Sequence, residues 1–97
     1  MTSVEFHPEA ETELLEVARY YEKQASGLGE EFLAKLERVL TVLKAHPEIG
    51  APAQSGTRRA FTRRFPYAVV YLPESSRIIV VAVAHSHRRP DYWRRRL

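Results

Sequence analysis

The sequence predicts an α+β fold of order β-α-α-β-β-β, an N-terminal helical hairpin packed on a small antiparallel-dominated sheet. Three observations carry this expectation. Two stretches with helical apolar spacing, joined by Gln24-Ala25-Ser26-Gly27, occupy the first half of the chain. Two short runs rich in β-branched and aromatic residues, Tyr67 to Leu72 and Ile78 to Ala84, occupy the second, and Pro73-Glu74-Ser75-Ser76 between them marks a β-hairpin. The length of 97 residues suits one modest core and not two, so residues 1–97 are read as a single domain.

Each element has a local reason. Ser3-Val4-Glu5-Phe6 alternates polar and apolar as a short strand does, and His7-Pro8 ends it. Pro8 suits a first helical turn, where its missing N–H costs nothing. Glu9, Glu11 and Glu13 place negative charge where the helix dipole favours it. Ala10, Leu14, Val17, Ala18, Tyr21 and Ala25 form the apolar stripe of that first helix, and Gly27 is expected to take the left-handed conformation that ends it. Tyr20 and Tyr21 read as boundary and core, and the glutamates of both helices as a solvated face. A second helix from about Leu28 carries Phe32, Leu36, Val39, Leu40 and Leu43 on one face, and the short link makes the pair an antiparallel hairpin.

His46-Pro47 stops the second helix. Residues 47–57, rich in proline and glycine without apolar periodicity, read as a loop free to move. Thr57 to Thr62 alternates around Ala60 and Phe61 as an edge strand, and Arg63-Arg64-Phe65-Pro66 forms a bend. Apolar residues on both faces of Ile78 to Ala84 predict a central strand with helices over at least one side. The tail from Pro90 to Leu97 is expected to form a last helical turn.

Composition narrows the function. There is no cysteine, which removes disulfide and thiolate chemistry and suits a reducing compartment. Met1-Thr2-Ser3-Val4-Glu5 lacks the pattern of a signal peptide, and no apolar run reaches the roughly 18 residues of a membrane span, so a cytoplasmic protein without a membrane partner is expected. The net charge of +3 conceals an asymmetry. Residues 1–50 hold 5 Lys+Arg and 10 Asp+Glu, whereas residues 51–97 hold 10 cations, every one an arginine, and 2 acids. The guanidinium fork pairs phosphates and carboxylates bidentately, so an arginine-only half points to a nucleic-acid or acidic-protein partner rather than to solubility alone.

Hairpin geometry gathers that charge. The start of one strand lies beside the end of its antiparallel partner, so Arg63 and Arg64 should arrive near His85, His87, Arg88 and Arg89 on one rim. Metal-free RNA cleavage needs a base for the 2′-OH, cations for the phosphate and a proton donor for the leaving oxygen. His85 or His87 suits the base or acid, because imidazole titrates near neutrality, and if the strand persists period-two geometry puts both on one side. Arg58, Arg59, Arg63, Arg64 and Arg89 are candidates for holding a partner or phosphate, and Arg94, Arg95 and Arg96 for a mobile basic tail. Trp93 is expected to pack the tail onto the body of the protein. Two histidines without a third ligand make a poor zinc set, so neither metal nor cofactor is expected.

Taken in order, Phe6-His7-Pro8-Glu9-Ala10, Tyr20-Tyr21-Glu22, Gly27-Leu28-Gly29 with Phe32, the segment Arg63 to Tyr71, and the segment Ala82 to Trp93 resemble the RelE/ParE superfamily of type II toxin-antitoxin toxins. The resemblance spans nearly the whole chain. It implies a small toxin held inactive in a hetero-oligomer by a cognate antitoxin whose extended, partly helical segment wraps it. RelE-type members cleave mRNA in the ribosome with basic residues and a tyrosine or other acid-base group near the C-terminus. That would make Tyr92, with His85, His87 and Arg88, catalytic. ParE-type members inhibit DNA gyrase. The basic rim here contains no lysine, where RelE-type sites commonly include one, so the expectation leans to a gyrase inhibitor. The alternatives are a ribosome-dependent mRNA endonuclease and a non-toxic antitoxin-binding relative.

Overall fold

The strand β1 (Ser3–Phe6) feeds α1 (Pro8–Gln24), which turns into α2 (Leu28–Ala45). The chain then builds β2 (Ala51–Pro52), β3 (Arg58–Phe61), β4 (Tyr67–Pro73) and β5 (Arg77–His85). These elements come from a computed structural model that describes residues 2–97; Met1, the first residue of the segment read above for a leader, lies outside the described residues. The sheet order is β1-β5-β4-β3-β2, with β1 parallel to β5 and every other pairing antiparallel. The α+β order is as expected.

The helix ends explain the hairpin. The His7 ring accepts a hydrogen bond at Nδ1 from the Glu9 amide at 3.1 Å, capping α1, and Pro8 follows as the first helical residue. Gly27 does take a left-handed φ of 85°, but as the residue that starts α2 rather than the one that ends α1. Having no side chain to cap with, it borrows one. The Glu22 carboxylate accepts from the Gly27 and Gly29 amides at 2.9 and 3.0 Å. At Gly29 the helices touch so closely that a Cβ would lie 2.5 Å from the Ala18 carbonyl oxygen.

The helical hairpin covers one face of the sheet. Phe32, Leu36 and Leu43 of α2 and Ala10 and Ala18 of α1 are buried against Val69, Tyr71, Ile78, Val80 and Val83. The Tyr21 and Phe32 rings meet Phe65 at 4.8 and 5.3 Å between centroids, which anchors the Phe65-Pro66 bend under the helices. β5 departs from simple alternation. Val70 opposes Ala82 and Tyr71 opposes Val80, so the bulge there leaves Val81 and Ala82 facing the same way. Val80 and Val83 thus face the helices, while Val81, Ala82 and Val70 face away from them.

The chain covers this second apolar face with its own end. Trp93, 1% exposed, packs on Val70, Val81 and Ala82, and Arg94–Arg96 follows as a single 3₁₀ turn. The sequence expectation of a packed Trp93 and a final turn therefore holds.

Two expectations need correction. Residues 47–57 are tied down along their length. The Tyr71 hydroxyl donates to the Pro47 carbonyl at 2.6 Å and accepts from the Gly50 amide at 3.0 Å, and the Arg58 guanidinium donates to the Glu48 and Gly50 carbonyls. Proline and glycine here mark a chain that must turn close to Tyr71, not one without partners. Nor is β3 the sheet edge, because Ala51 and Pro52 pair with Arg59 and Arg58. Two residues are too short for any periodicity to announce. No helix among the described residues is long and apolar enough to cross a membrane.

Candidate functional site

The hairpin register builds the rim much as its geometry demands. Tyr67 opposes His85, and the Ser86 amide donates to the Pro66 carbonyl at 2.8 Å, so the bend after Arg64 sits against the turn that carries His85 to Arg89. The backbones meet, but the arginines then part. Arg64, at a φ of 74°, sends its guanidinium to the Glu31 carboxylate of α2. Arg63 lies beside Lys35 and Arg38, where an apolar groove runs between α2 and β3. Neither shares the cleft that His85 borders. That cleft, on the face away from the helices, is lined by Arg59 and Phe61 of β3 and by His85, Ser86, Arg88 and Arg89. Strand period explains Arg59 and Phe61, which alternate with Arg58 and Ala60 and so project together. The sequence reading placed Phe61 only in a strand. Its exposure of 58% is the signal it lacked.

The strand does not persist to His87, contrary to the condition on which the paired-histidine geometry was argued. β5 ends at His85, and the turn that follows folds His87 back so that its amide donates to His85 Nδ1 at 3.0 Å. The rings still come to 5.3 Å between centroids, and His85 also meets Tyr67 edge-on at 5.1 Å. Because Nδ1 of His85 is an acceptor, a neutral ring carries its proton on Nε2. No carboxylate lies within 4.0 Å of either imidazole among the described residues.

Tyr92 is held away from solvent chemistry. Its hydroxyl donates to Glu13 Oε2 at 2.8 Å, and the guanidinium carbons of Arg88 and Arg96 lie 4.0 and 5.1 Å from its ring centroid. Burial first, and then the bond to the Glu13 carboxylate, push its pKa well above the tyrosine range; Arg96 and Arg88 pull the other way without prevailing. The folded pKa is raised above the unfolded value near ~10, so the neutral phenol's contribution to stability is whole below that pH and is lost as pH rises through the folded value. Phenolate absorbance in an alkaline titration is expected to show a last, late step that Tyr92→Phe removes. An unchanged late step in that variant would refute the assignment.

The tail also departs from expectation, for it is not mobile and not uniformly basic at its surface. The Arg96 side chain is 5% exposed, donates to both Glu13 oxygens at 2.9 Å and donates again to the Val81 carbonyl. Arg95 pairs with Glu9 at 2.9 Å, which with the other nearby cations holds the Glu9 pKa below its ordinary value. Glu13, read as part of a solvated face, is instead the acceptor for Arg96, Tyr92 and the Val83 amide. Arg58 and Arg96 are thus structural cations, held by carbonyls and a carboxylate of this chain, and among the described residues the buried Arg96 Nε is left without a hydrogen-bond partner. Arg59, Arg63, Arg88 and Arg94 have no carboxylate within 4.0 Å among the described residues, and Arg89 has only Asp91, at 3.8 Å. Among the described residues no three His, Asp or Glu side chains cluster to hold a metal.

Comparison with known proteins agrees with this architecture. A family model described as the ParE toxin of the type II toxin-antitoxin system parDE matches residues 4–90. No curated protein sequence matches the chain. A solved structure described as the chromosomal ParDE TA system from P. aeruginosa is similar to it with a TM-score of 0.63 at 16% identity, over 88% of this chain and 96% of that one. At that identity the likeness is one of fold. The family match takes in Arg88 and Arg89 and stops before Trp93 and Arg96.

Proposed function

The chain belongs to the ParE toxin family of type II toxin-antitoxin systems, and from that premise we propose that it arrests growth in the cytoplasm by binding DNA gyrase and is neutralised by a cognate antitoxin. The observation that carries binding over cleavage is Tyr92. The one residue placed like a nuclease tyrosine has its hydroxyl committed to Glu13 and its pKa moved away from neutrality, which is the wrong direction for proton transfer at physiological pH. His85 supports the same reading, since the nitrogen a base would use accepts a backbone amide. What remains on the surface is a set of guanidiniums suited to holding an acidic partner.

The proposal is tested with purified protein and gyrase. Supercoiling should fall in a saturable way, and the antitoxin encoded beside the toxin should restore it. Full supercoiling at saturating protein would remove the gyrase target. New transcript ends by primer extension after induction would install the nuclease reading in its place. Harmless overexpression without antitoxin would favour a relative that only binds its partner.

A further inference from the structure

The cleft on the face away from the helices encloses about 270 Å³ between β3 and the turn after β5. The gyrase reading draws on its guanidiniums, but neither that reading nor the fold gives its apolar floor a role. Its rim and its floor differ in chemistry. On the rim stand Arg59, Arg88 and Arg89; the floor is Ala68, Val70 and Ala84, with the exposed Phe61 ring at one side. Among the described residues, the rim arginines share their lack of a close carboxylate with Arg63 and Arg94, which line other surfaces, and differ from four that are already paired. Arg64, Arg77, Arg95 and Arg96 each have a carboxylate in direct contact. The three on this rim have none closer than the 3.8 Å between Arg89 and Asp91. Guanidiniums gathered without counter-charge repel one another, and a bound dianion would relieve that repulsion.

The geometry points to a nucleoside phosphate as the ligand, its phosphate held by Arg59, Arg88 and Arg89 and its base laid on Phe61 over the apolar floor. An acidic peptide would satisfy the guanidiniums but leave the aromatic ring and the floor without a partner. A phosphate alone would do the same. A planar base uses both, because every base has a face that stacks on an aromatic ring and one nucleotide unit is about the size of the space. Arg59 adds to this platform, with its guanidinium carbon 5.9 Å from the Phe61 centroid. The binding involves no bond making or breaking, in keeping with the committed state of Tyr92 and His85. It stands whether or not gyrase is the target.

Trp93 is the only tryptophan and lines the same cleft, so its emission reports occupancy. The test titrates the protein with AMP, adenosine, inorganic phosphate, a short oligothymidylate and polyglutamate, following Trp93 emission and the heat of binding. Saturable binding of AMP that exceeds that of phosphate, with none for adenosine, is expected. Arg59→Ala and Phe61→Ala, both at exposed positions, should each weaken it about tenfold, while Arg63→Ala on the other face leaves it unchanged. Affinity rising steeply from AMP to the oligothymidylate identifies a single strand as the source of the nucleotide, and equal affinity identifies the free nucleotide. No saturable response to either nucleotide, equal binding of AMP and phosphate, preference for polyglutamate, or an equal effect of Arg63→Ala would each overturn the inference.

Discussion

Glu13→Ala is expected to destabilise the folded protein by about 3–5 kcal/mol, the range for removing one partner of a buried ion pair. The cost comes less from the lost attraction than from what is left behind. Arg96 is 5% exposed at its side chain and donates to both oxygens of Glu13. Without them it retains the Val81 carbonyl and a distant Glu9 at 3.7 Å, too little to replace the water its charge gave up. Tyr92 and the Val83 amide lose their acceptor in the same change. Replacing both members of the pair removes the orphan. Glu13→Gln with Arg96→Met should therefore recover much of the loss, which a double-mutant cycle by urea denaturation measures. By comparison, Glu9→Ala on the more exposed Arg95 is expected to shift stability far less, as loss of a surface pair does. Equal costs for Glu9→Ala and Glu13→Ala would show that the buried pair has no special role.

The two helices and the hairpin were legible because their signals are local. Pro8, the Gln24 to Gly27 link and the Pro73 to Ser76 turn each act on their own neighbours, and the hairpin register follows once the turn is known. What could not be read were relations between distant residues. Nothing near Glu13 announces that Arg96 and Tyr92 arrive on it from 83 and 79 residues away. The bulge at Val81 is likewise silent in a continuous apolar run, where shifting the phase by one residue changes no residue type. The arginines illustrate both limits. Their number pointed to a basic surface, but only the fold separates Arg58, Arg64 and Arg96, which hold this chain together, from Arg59, Arg88 and Arg89, which gather around the cleft. For the same reason Tyr92 looked available in sequence and is committed in the structure.

Trp93→Ala is expected to cost about 3–5 kcal/mol as well, the range for truncating a large buried aromatic to a methyl group. Trp93 is 1% exposed on Val70, Val81 and Ala82, with the partly buried Tyr92 beside it on that face. The loss should appear in urea denaturation as a lower midpoint with cooperative unfolding retained, whereas Arg94→Ala, one residue on and exposed, should shift it little. Combining Trp93→Ala with Glu13→Ala distinguishes two physical pictures. Trp93 and Arg96 fasten the same short segment, one by packing and one by charge. If the segment docks as a unit, breaking either fastening releases most of it, and the second change then removes contacts that are already gone. The double variant should accordingly lose clearly less than the two single losses taken together. Strict additivity would mean that the aromatic and the ion pair hold their places independently, and that the tail is two separate attachments rather than one strap across the sheet.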